Sequence, residues 1–472
     1  MNNGTQKLPF KEKIAYGFGD LASVLYWQTF MLYFTYFYTD VFVIPAAAAA
    51  TLFLLSRVWD GINDVLMGMI ADRTKTRWGK FRPYLLWICV PFAIAGVFTF
   101  TVPNFGPMGK LIWAYATFNA IMMLYTAINI PYTALLGVIS ADSKERTTIS
   151  SVKFLFAFAA GIIVSATLLP MVKMFGKGNE PRGWQLSFVV YGIAAVIFFL
   201  IAFKGTRERV QPPKAQKSSV KKDIFELVTN GPWLILLATT ITFILFVAVR
   251  GSVTVHYFKY FVGSRELSLP FMETKTYSFE ALVSAFNTIG QLSALIGVVF
   301  VSWFAKVIGK KKAFVTLFII AIASTGAFYF LRAEQIALIF ILQVVGSMTG
   351  GPLSVLLWAM YADTADYAEW KRGRRTTGLI FSASTMSQKI GWAVGAYVAL
   401  TLMSQVGFQP NQEQSAQSLK GLILLFSLIP AGLGVFSIVL SLIYPLSDKR
   451  VAQIGAELAE RRKAIGEDVA TA

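Results

Sequence analysis

Four polar side chains lie close together inside an otherwise apolar stretch, in the run RVWDGINDVLMG that begins at Arg57. In an α-helix, Arg57, Asp60 and Asp64 share one face, and Asn63 is one position away from it. Two carboxylates one turn apart repel each other, so a proton, a metal ion or Arg57 must neutralise them in a dry environment. Small hard cations prefer such oxygen ligands. The run therefore indicates either a cation-binding site or a structural Arg–Asp network.

The composition indicates which class of protein carries this run. Of the 472 residues, 56% are hydrophobic and only 14% are charged, whereas soluble domains carry about 25% charged residues. About a dozen apolar blocks of roughly 20 residues are each long enough to cross a bilayer core of ~30 Å. We therefore predict an all-α polytopic membrane protein. The face with Arg57, Asp60 and Asp64 must point into protein or a water-filled cavity, because a charge in hydrocarbon costs about 3 kcal/mol or more.

The scarcity of cysteine and histidine excludes several kinds of site. Cys89 and His256 are the single cysteine and the single histidine, so an intrachain disulfide and a metal site built from Cys or His clusters are excluded. No nucleophile motif or phosphate-binding loop is present, so we expect no enzyme activity and no cofactor. Residues 1–13 are polar and precede a long apolar block, so we expect no cleavable signal peptide.

The apolar blocks predict twelve transmembrane helices. Their predicted ranges are 14–39, 46–71, 83–102, 110–139, 148–172, 184–203, 232–262, 276–305, 313–331, 335–361, 377–406 and 418–445. Lysine and arginine are concentrated at the N terminus, in the even-numbered connections and in the C-terminal tail. Because cytoplasmic loops are enriched in basic residues, both termini are predicted to be cytoplasmic. The net charge of +18 thus indicates membrane topology, and we expect no binding to nucleic acid.

The longest polar connection, residues 204–231, contains two consecutive prolines and a run rich in lysine and serine, which is typical of a linker. It separates six predicted spans in residues 1–203 from six in residues 232–445. Two six-helix halves with a central cytoplasmic linker are similar to the organisation of major facilitator transporters, in which substrates bind near the membrane midplane between the halves. Residues 446–472 are predicted to form a solvated cytoplasmic tail.

The segment YTAINIPY, residues 125–132, combines polar groups with a break in a predicted span. Pro131 has no backbone N–H and leaves the carbonyl of Ala127 without its usual donor. Thr126 and Asn129 lie on one face beside this break. Such an arrangement is typical of ion and substrate sites in transporters, although an ordinary proline kink has the same sequence pattern.

Three further residues in the predicted spans bear on function. Lys389 lies well inside span 11 and needs a carboxylate, carbonyl groups or a polar ligand there, which favours a functional role. Tyr26 is one of several aromatic residues that could form a wall for stacking on sugar rings, although aromatic residues in membrane helices more often belong to packing. We interpret His256, near the outer end of span 7, as an interfacial residue.

Several motifs resemble those of the glycoside–pentoside–hexuronide:cation symporters, the group within the major facilitator superfamily that includes melibiose permease. The resemblance covers residues 10–445 and rests on YGFGD (16–20), YTDVF (38–42), RVWDGINDVLMGMIADRTKTRWGKFRPY (57–84), INIPY (128–132), ADSKERT (141–147), MYADTADYAEWKRGRRTTG (360–378) and QKIGWAVG (388–395). It implies the major facilitator fold and cation-coupled sugar symport by alternating access.

The resemblance implies roles for the polar residues of spans 2 and 4. Asp60, Asn63 and Asp64 match the cation ligands of the second helix in the family. Thr126 matches the hydroxyl of the fourth helix that completes that site. Arg57 matches an arginine that is tied to gating.

The positions that match sugar ligands depart from melibiose permease. Lys389 matches a lysine beside the cation and sugar sites, whereas Lys153 replaces a sugar-contacting arginine and cannot make the same planar contact. Val24 and Asn129 replace two sugar-binding aspartates, and Thr133 replaces a stacking tryptophan. The resemblance therefore implies a pentoside, hexuronide or related glycoside rather than an α-galactoside. The basic Lys153 and the loss of two carboxylates also suggest an anionic sugar, such as a uronide or sulfo-sugar.

The charged blocks at residues 72–82 and 363–375 predict a gating network. Their acidic and basic groups can pair between the halves and separate as the cavity opens inward, whereas topology alone explains the basic residues but not the aspartates. The candidates are Asp363, Asp366, Arg374 and Arg375.

The predicted function is symport of a small sugar or glycoside with Na⁺ or H⁺ across a bacterial inner membrane. The expected partners are the sugar, a monovalent cation and the lipid bilayer. A lysolipid symporter, from a distant branch that shares the motif of the second helix, is an alternative. A non-transporting sensor is a further alternative, but the chain lacks a long soluble domain through which to signal.

Overall fold

The computed structural model describes residues 8–140, 143–209, 227–267, 275–373 and 377–464, which are predominantly helical. The helices are α1 (Phe10–Tyr36), α2 (Ala46–Arg73), α3 (Arg82–Trp87), α4 (Cys89–Thr99), α5 (Pro107–Ile139), α6 (Ser143–Gly176), α7 (Glu180–Gly205), α8 (Gly231–His256), α9 (Phe279–Ile308), α10 (Lys310–Ala327), α11 (Ile336–Arg372), α12 (Thr377–Gln405), α13 (Ala416–Phe426), α14 (Leu428–Ile443) and α15 (Asp448–Ala464). The π-helical turns Phe37–Val41 and Tyr257–Val262 extend α1 and α8, and a 3₁₀ turn, Phe328–Phe330, extends α10. Strands β1 (Arg265–Leu267) and β2 (Lys275–Tyr277) pair antiparallel.

Helical structure covers each of the predicted membrane segments. Within the described residues, eight helices are long and apolar enough to cross a membrane. Helices α1, α2 and α12 are of similar length but carry charged residues that include Asp20, Asp60 and Lys389. The third predicted segment is divided into α3 and α4 at Ile88, because Pro91 cannot donate a backbone hydrogen bond to the preceding turn.

The chain divides into two compact units. Unit 1 consists of Met1–Lys214, Gly251–Gln291 and Ala396–Leu422, and unit 2 consists of Ala215–Arg250, Leu292–Gly395 and Ile423–Ala472. The boundary between Lys214 and Ala215 falls within the predicted linker, and Gly251–Gln291 and Ala396–Leu422 group with unit 1.

Aromatic side chains fill the core of unit 1. Phe100 stacks on Trp184 and Phe188, with ring centroids 5.5 and 3.6 Å apart. Helix α1 approaches α4 closely at Gly96, where a Cβ would lie 2.3 Å from the ring of Tyr26. This packing holds α1, which carries several of the polar residues described below.

The C-terminal helix α15 packs on the end of α11 in unit 2. Ile454 and Leu458 are 1% and 5% exposed, and the indole N–H of Trp370 donates a hydrogen bond to Glu457. The prediction of a solvated tail is therefore wrong for residues 448–464. Two apolar residues four positions apart form a stripe on a polar helix, and this stripe is sufficient to bury one face of it.

One carboxylate holds the loop between α2 and α3. Glu208 accepts hydrogen bonds from the backbone N–H groups of Lys80, Phe81 and Arg82, at 2.9, 2.7 and 3.0 Å. The chain turns toward this carboxylate at Gly79, which has a φ of +111°. A Cβ at Gly79 would lie 2.4 Å from the carboxyl carbon of Glu208. The glycine of the motif RWGKF is therefore required by the backbone.

We expect Gly79→Ala to lower the free energy of unfolding by about 1–3 kcal/mol, because its φ is strained for alanine and the Cβ displaces Glu208. Gly106→Ala is the matched control, since its φ is −65° and a Cβ there meets nothing within 4 Å. The measurement is the thermal midpoint of detergent-solubilised protein by size-exclusion chromatography. Equal midpoints for the two variants would contradict this account of the loop.

Candidate functional site

Helices α2 and α5 bring the predicted cation ligands together in unit 1. The hydroxyl oxygen of Thr126 on α5 lies 2.8 Å from Oδ1 of Asp60 and 3.0 Å from Oδ1 of Asp64. A threonine hydroxyl has one proton and can donate it to only one of the two carboxylates. A proton on one aspartate would make the other contact a hydrogen bond as well, and a cation could be shared by the three side chains.

Arg57 lies on the same face of α2, as the sequence predicts. Its Nη1 is 3.7 Å from Oδ2 of Asp60, and the two residues are 5% and 1% exposed. The guanidinium also lies 4.5 Å from the ring of Trp27 and 4.9 Å from that of Phe53. Arg57 thus stacks on aromatic faces, which attract a cation, and partly compensates Asp60 without a short hydrogen bond.

Two carboxylates, one guanidinium and one amide lie close together in this buried group, where charged and polar atoms need partners. The Nδ2 of Asn63 is buried without a hydrogen-bond partner among the described residues. The carboxylate, amide and hydroxyl oxygens suit a small hard cation. The described residues contain no group of three or more His, Cys, Asp or Glu side chains that could hold a metal ion.

The structure places the predicted sugar ligands of unit 1 on α5 and α6. Asn129 and Thr133 lie one turn apart on α5, where Asn129 is partly buried and Thr133 is exposed. On α6, Nζ of Lys153 is 3.6 Å from Oδ1 of Asp20 on α1 and 5.7 Å from the ring centroid of Tyr132. The sequence analysis did not identify Asp20 as a site residue, although it ends the motif YGFGD.

Tyr26 lies in the packed interior rather than on an open face. It is 0% exposed, and its ring contacts those of Phe92 and Phe188. A sugar could stack on Tyr26 only if this packing opened. Lys389 is partly buried on α12 and belongs to unit 2.

The gating candidates lie in and after the last turns of α11. Asp363 forms an ion pair with Lys310 of α10, so this contact lies within residues 232–445 and not between the predicted halves. Asp366 is partly buried. Arg374 and Arg375 lie outside the described residues.

A polar cluster at the end of α1 was missed by the sequence analysis. Asp40 is 3% exposed and accepts hydrogen bonds from Nζ of Lys259, at 2.9 Å, and from the hydroxyl of Tyr260. Nε2 of His256 is 3.0 Å from the same carboxylate. His256 is 0% exposed, so protein atoms enclose its side chain.

The side chain of Asn411 completes this cluster within unit 1. Its Nδ2 donates to the backbone carbonyl of Asp40 at 2.7 Å, and its Oδ1 accepts from Lys259 at 2.6 Å. The cluster therefore joins the end of α1 to the end of α8 and to the connection after α12. The aspartate of the motif YTDVF, together with the single histidine, was the available sequence signal.

Asp40→Asn is expected to destabilise the protein by about 2 kcal/mol, because it removes the buried carboxylate that accepts hydrogen bonds from Lys259 and Tyr260. Glu266→Gln is the matched control, since Glu266 is an exposed carboxylate of the same unit and exposed charges contribute only about 0–1 kcal/mol. The thermal midpoint of the purified protein measures both effects. A midpoint for Asp40→Asn that equals that of Glu266→Gln would show that the cluster does not hold these segments together.

A family model described as MFS/sugar transport protein matches residues 15–448. The chain is similar to the isoprimeverose transporter of Lactiplantibacillus pentosus, with 34% identity over 459 residues that cover 96% of this chain and 92% of that one. It is 33% identical to the inner membrane symporter YicJ of Escherichia coli (strain K12), over 97% of both chains. It is 27% identical to the glucuronide carrier protein homolog of the same strain, also over 97% of both.

Two solved structures have the same fold as this chain. The nucleoside transporter NupG aligns with a TM-score of 0.62 at 12% identity, over 93% of this chain and 98% of that one. The tetrameric PepTSo2 aligns with a TM-score of 0.67 at 12% identity, over 96% of this chain and 99% of that one.

Proposed function

Since the chain belongs to the MFS/sugar transport family, and within it to the glycoside–pentoside–hexuronide:cation symporters, we propose that it carries a glycoside, pentoside or hexuronide together with Na⁺ or H⁺. It is a multi-pass membrane transporter and not an enzyme. The two cargoes move by alternating access, and binding of each raises the affinity for the other, because such coupling is reciprocal.

The proposed topology has twelve membrane spans with both termini in the cytoplasm. Eight apolar helices and the distribution of lysine and arginine between alternate connections support it. The similarity to the inner membrane symporter YicJ supports a bacterial inner membrane location. Residues 1–203 and 232–445 form the two six-helix halves, joined by the linker.

The observation that carries the coupling is the single hydroxyl of Thr126 between the carboxylates of Asp60 and Asp64. A bound Na⁺ takes its oxygens from these three side chains and from Asn63, whereas a proton binds one carboxylate and lets both contacts become hydrogen bonds. Either cation changes the charge at Asp60 and Asp64. Arg57 responds to that change because it faces Asp60, which links cation binding to gating.

In unit 1, the sugar ligands are Asn129 and Thr133 of α5, which supply an amide and a hydroxyl, and Lys153 of α6, which supplies an ammonium group. In unit 2, Lys389 of α12 is a further candidate sugar ligand because of the family resemblance. Polar groups of these kinds hydrogen-bond sugar hydroxyls. The isoprimeverose transporter and the glucuronide carrier protein homolog among the relatives support a glycoside or hexuronide substrate. Tyr26 contributes only in a state in which its packing has opened.

Asp64→Asn is expected to abolish accumulation of sugar driven by a cation gradient while leaving exchange of sugar without a gradient. The physical reason is that the variant loses the carboxylate that needs the cation but keeps the sugar ligands. Uptake into proteoliposomes under an inward Na⁺ or H⁺ gradient, with a panel of glycosides, pentosides and hexuronides, measures this. Gradient-driven accumulation by Asp64→Asn at the wild-type level would contradict coupling at this site, and uptake of lysolipids alone would contradict sugar transport.

Thr126→Val is expected to raise the cation concentration for half-maximal uptake about tenfold, because it removes one oxygen ligand worth about 1.4 kcal/mol. Thr126→Ser keeps the hydroxyl and is the matched control. Cation titration of initial uptake rates at a fixed sugar concentration measures both variants. Identical titration curves for valine and serine would exclude Thr126 from the cation site.

A further inference from the structure

Lys153 does not present an isolated positive charge, because Asp20 lies beside it. Nζ of Lys153 is 3.6 Å from Oδ1 of Asp20, and the two side chains are 21% and 11% exposed. This separation is longer than the 2.7–2.9 Å of a charge-assisted hydrogen bond. An ammonium has three donors and a carboxylate has two acceptor oxygens. The pair is therefore compensated in charge, yet it keeps hydrogen-bonding capacity for a third group.

The polar groups next to this pair are already committed to other partners. The hydroxyl of Tyr132 donates to the carbonyl of Tyr16 at 2.8 Å, and that of Tyr16 donates to the carbonyl of Tyr132 at 3.2 Å. The two rings stack with centroids 4.6 Å apart. Because both tyrosine hydroxyls are bonded to backbone carbonyls, they do not compensate the charge of Lys153, and Asp20 does.

Close helix packing fixes the position of Asp20. A Cβ at Gly19 would lie 2.4 Å from the ring of Tyr132, and a Cβ at Gly17 would lie 2.7 Å from the ring of Phe156. Because α1 meets α5 and α6 without space at these two glycines, Asp20 cannot move far from Lys153 without a shift of the whole helix.

The same face of α1 leads from the pair to the cation ligands. Asp20 and Trp27 are seven residues apart, which places them on one face with a rise of about 10 Å between them. Trp27 is partly exposed, stacks on Tyr125 with centroids 5.6 Å apart, and carries Arg57 over its ring. A donor–acceptor pair and an aromatic plane thus lie along one helix, next to the cation site.

We propose that Asp20 and Lys153 act as one neutral binding group for the hydroxyls of an uncharged glycoside. Asp20 accepts hydrogen bonds from sugar hydroxyls, and Lys153 donates to a hydroxyl or ring oxygen. The carboxylate of a hexuronide at Lys153 would leave two carboxylates sharing one ammonium in a mostly buried environment, which is unfavourable. Asp20 is therefore a specificity residue that selects uncharged pentosides and hexosides. This inference rests on the proposed function and departs from the anionic sugar that Lys153 alone suggested.

The test compares two probes that differ only at C6, p-nitrophenyl glucoside and p-nitrophenyl glucuronide, together with the corresponding xyloside, each as both anomers. Binding to the purified full-length protein is measured by calorimetry at a saturating cation concentration. We expect the wild type to bind the best uncharged probe at least about tenfold more tightly than the glucuronide. Asp20→Asn should reverse this order by weakening the uncharged probe about tenfold and strengthening the glucuronide, because Lys153 then keeps its full charge.

Two further variants separate specificity from folding. Asp20→Glu keeps the charge pair and should retain the wild-type preference. Lys153→Gln should weaken the uncharged probe about tenfold without strengthening the glucuronide, so it reports on the pair even where Asp20→Asn does not fold.

Three results would overturn the inference. The first is glucuronide binding by the wild type that is as tight as glucoside binding. The second is a ratio of glucoside affinity to glucuronide affinity that is the same in Asp20→Asn and Lys153→Gln as in the wild type. Tight glucuronide binding that is lost in Lys389→Gln would place the anion at Lys389 instead. In these cases cation-driven sugar uptake persists and the proposed function stands. Absence of binding and uptake of every sugar would instead remove the proposed function and this inference with it.

Discussion

Two carboxylates contact one hydroxyl group in the interior of unit 1, and the other polar residues of the candidate site lie around that contact. Asp60 and Asp64 both contact Thr126, while Arg57 stands 3.7 Å away and spreads its charge over two aromatic rings. A proton or a cation that binds between these carboxylates and the hydroxyl would change all three contacts.

Helix α1 connects this region to two other charged groups. Asp20 on α1 compensates Lys153 on α6. Asp40, just after α1, contacts Lys259 and His256. Between them lies Trp27, the ring over which Arg57 is placed. Because the glycines on and around α1 remove any space for sliding, the charges that it carries are held at fixed distances from one another. A rearrangement at one of these charged groups therefore moves the helix, and with it the other charged groups.

The sequence predicted the local features of the site and missed those that depend on packing. The face with Arg57, Asp60 and Asp64 follows from helical periodicity alone, and Thr126 was found because Pro131 breaks a hydrophobic span nearby. Asp20 was missed because its partner is more than a hundred residues away, and only the packing of α1 on α6 brings them together. Tyr26 was named for its chemistry, but Gly96 allows α4 to approach so closely that the ring is enclosed. The composition of the polar tail predicted that α15 is solvated, because the two buried side chains, Ile454 and Leu458, contribute little to its mean hydropathy.

The division into units also bears on how the protein is made. Unit 1 takes its first 214 residues from the beginning of the chain but is completed by residues 251–291 and 396–422. During synthesis, Asp40 at the end of α1 lacks Lys259 until some two hundred further residues have been made. It lacks Asn411 until nearly four hundred have been made. Domains generally fold as units as they are synthesised, yet the contacts of Asp40 with Lys259 and Asn411 form only after residue 411 has been made. A membrane insertase or chaperone that shields the end of α1 during that interval would meet a need created by the order of the chain itself.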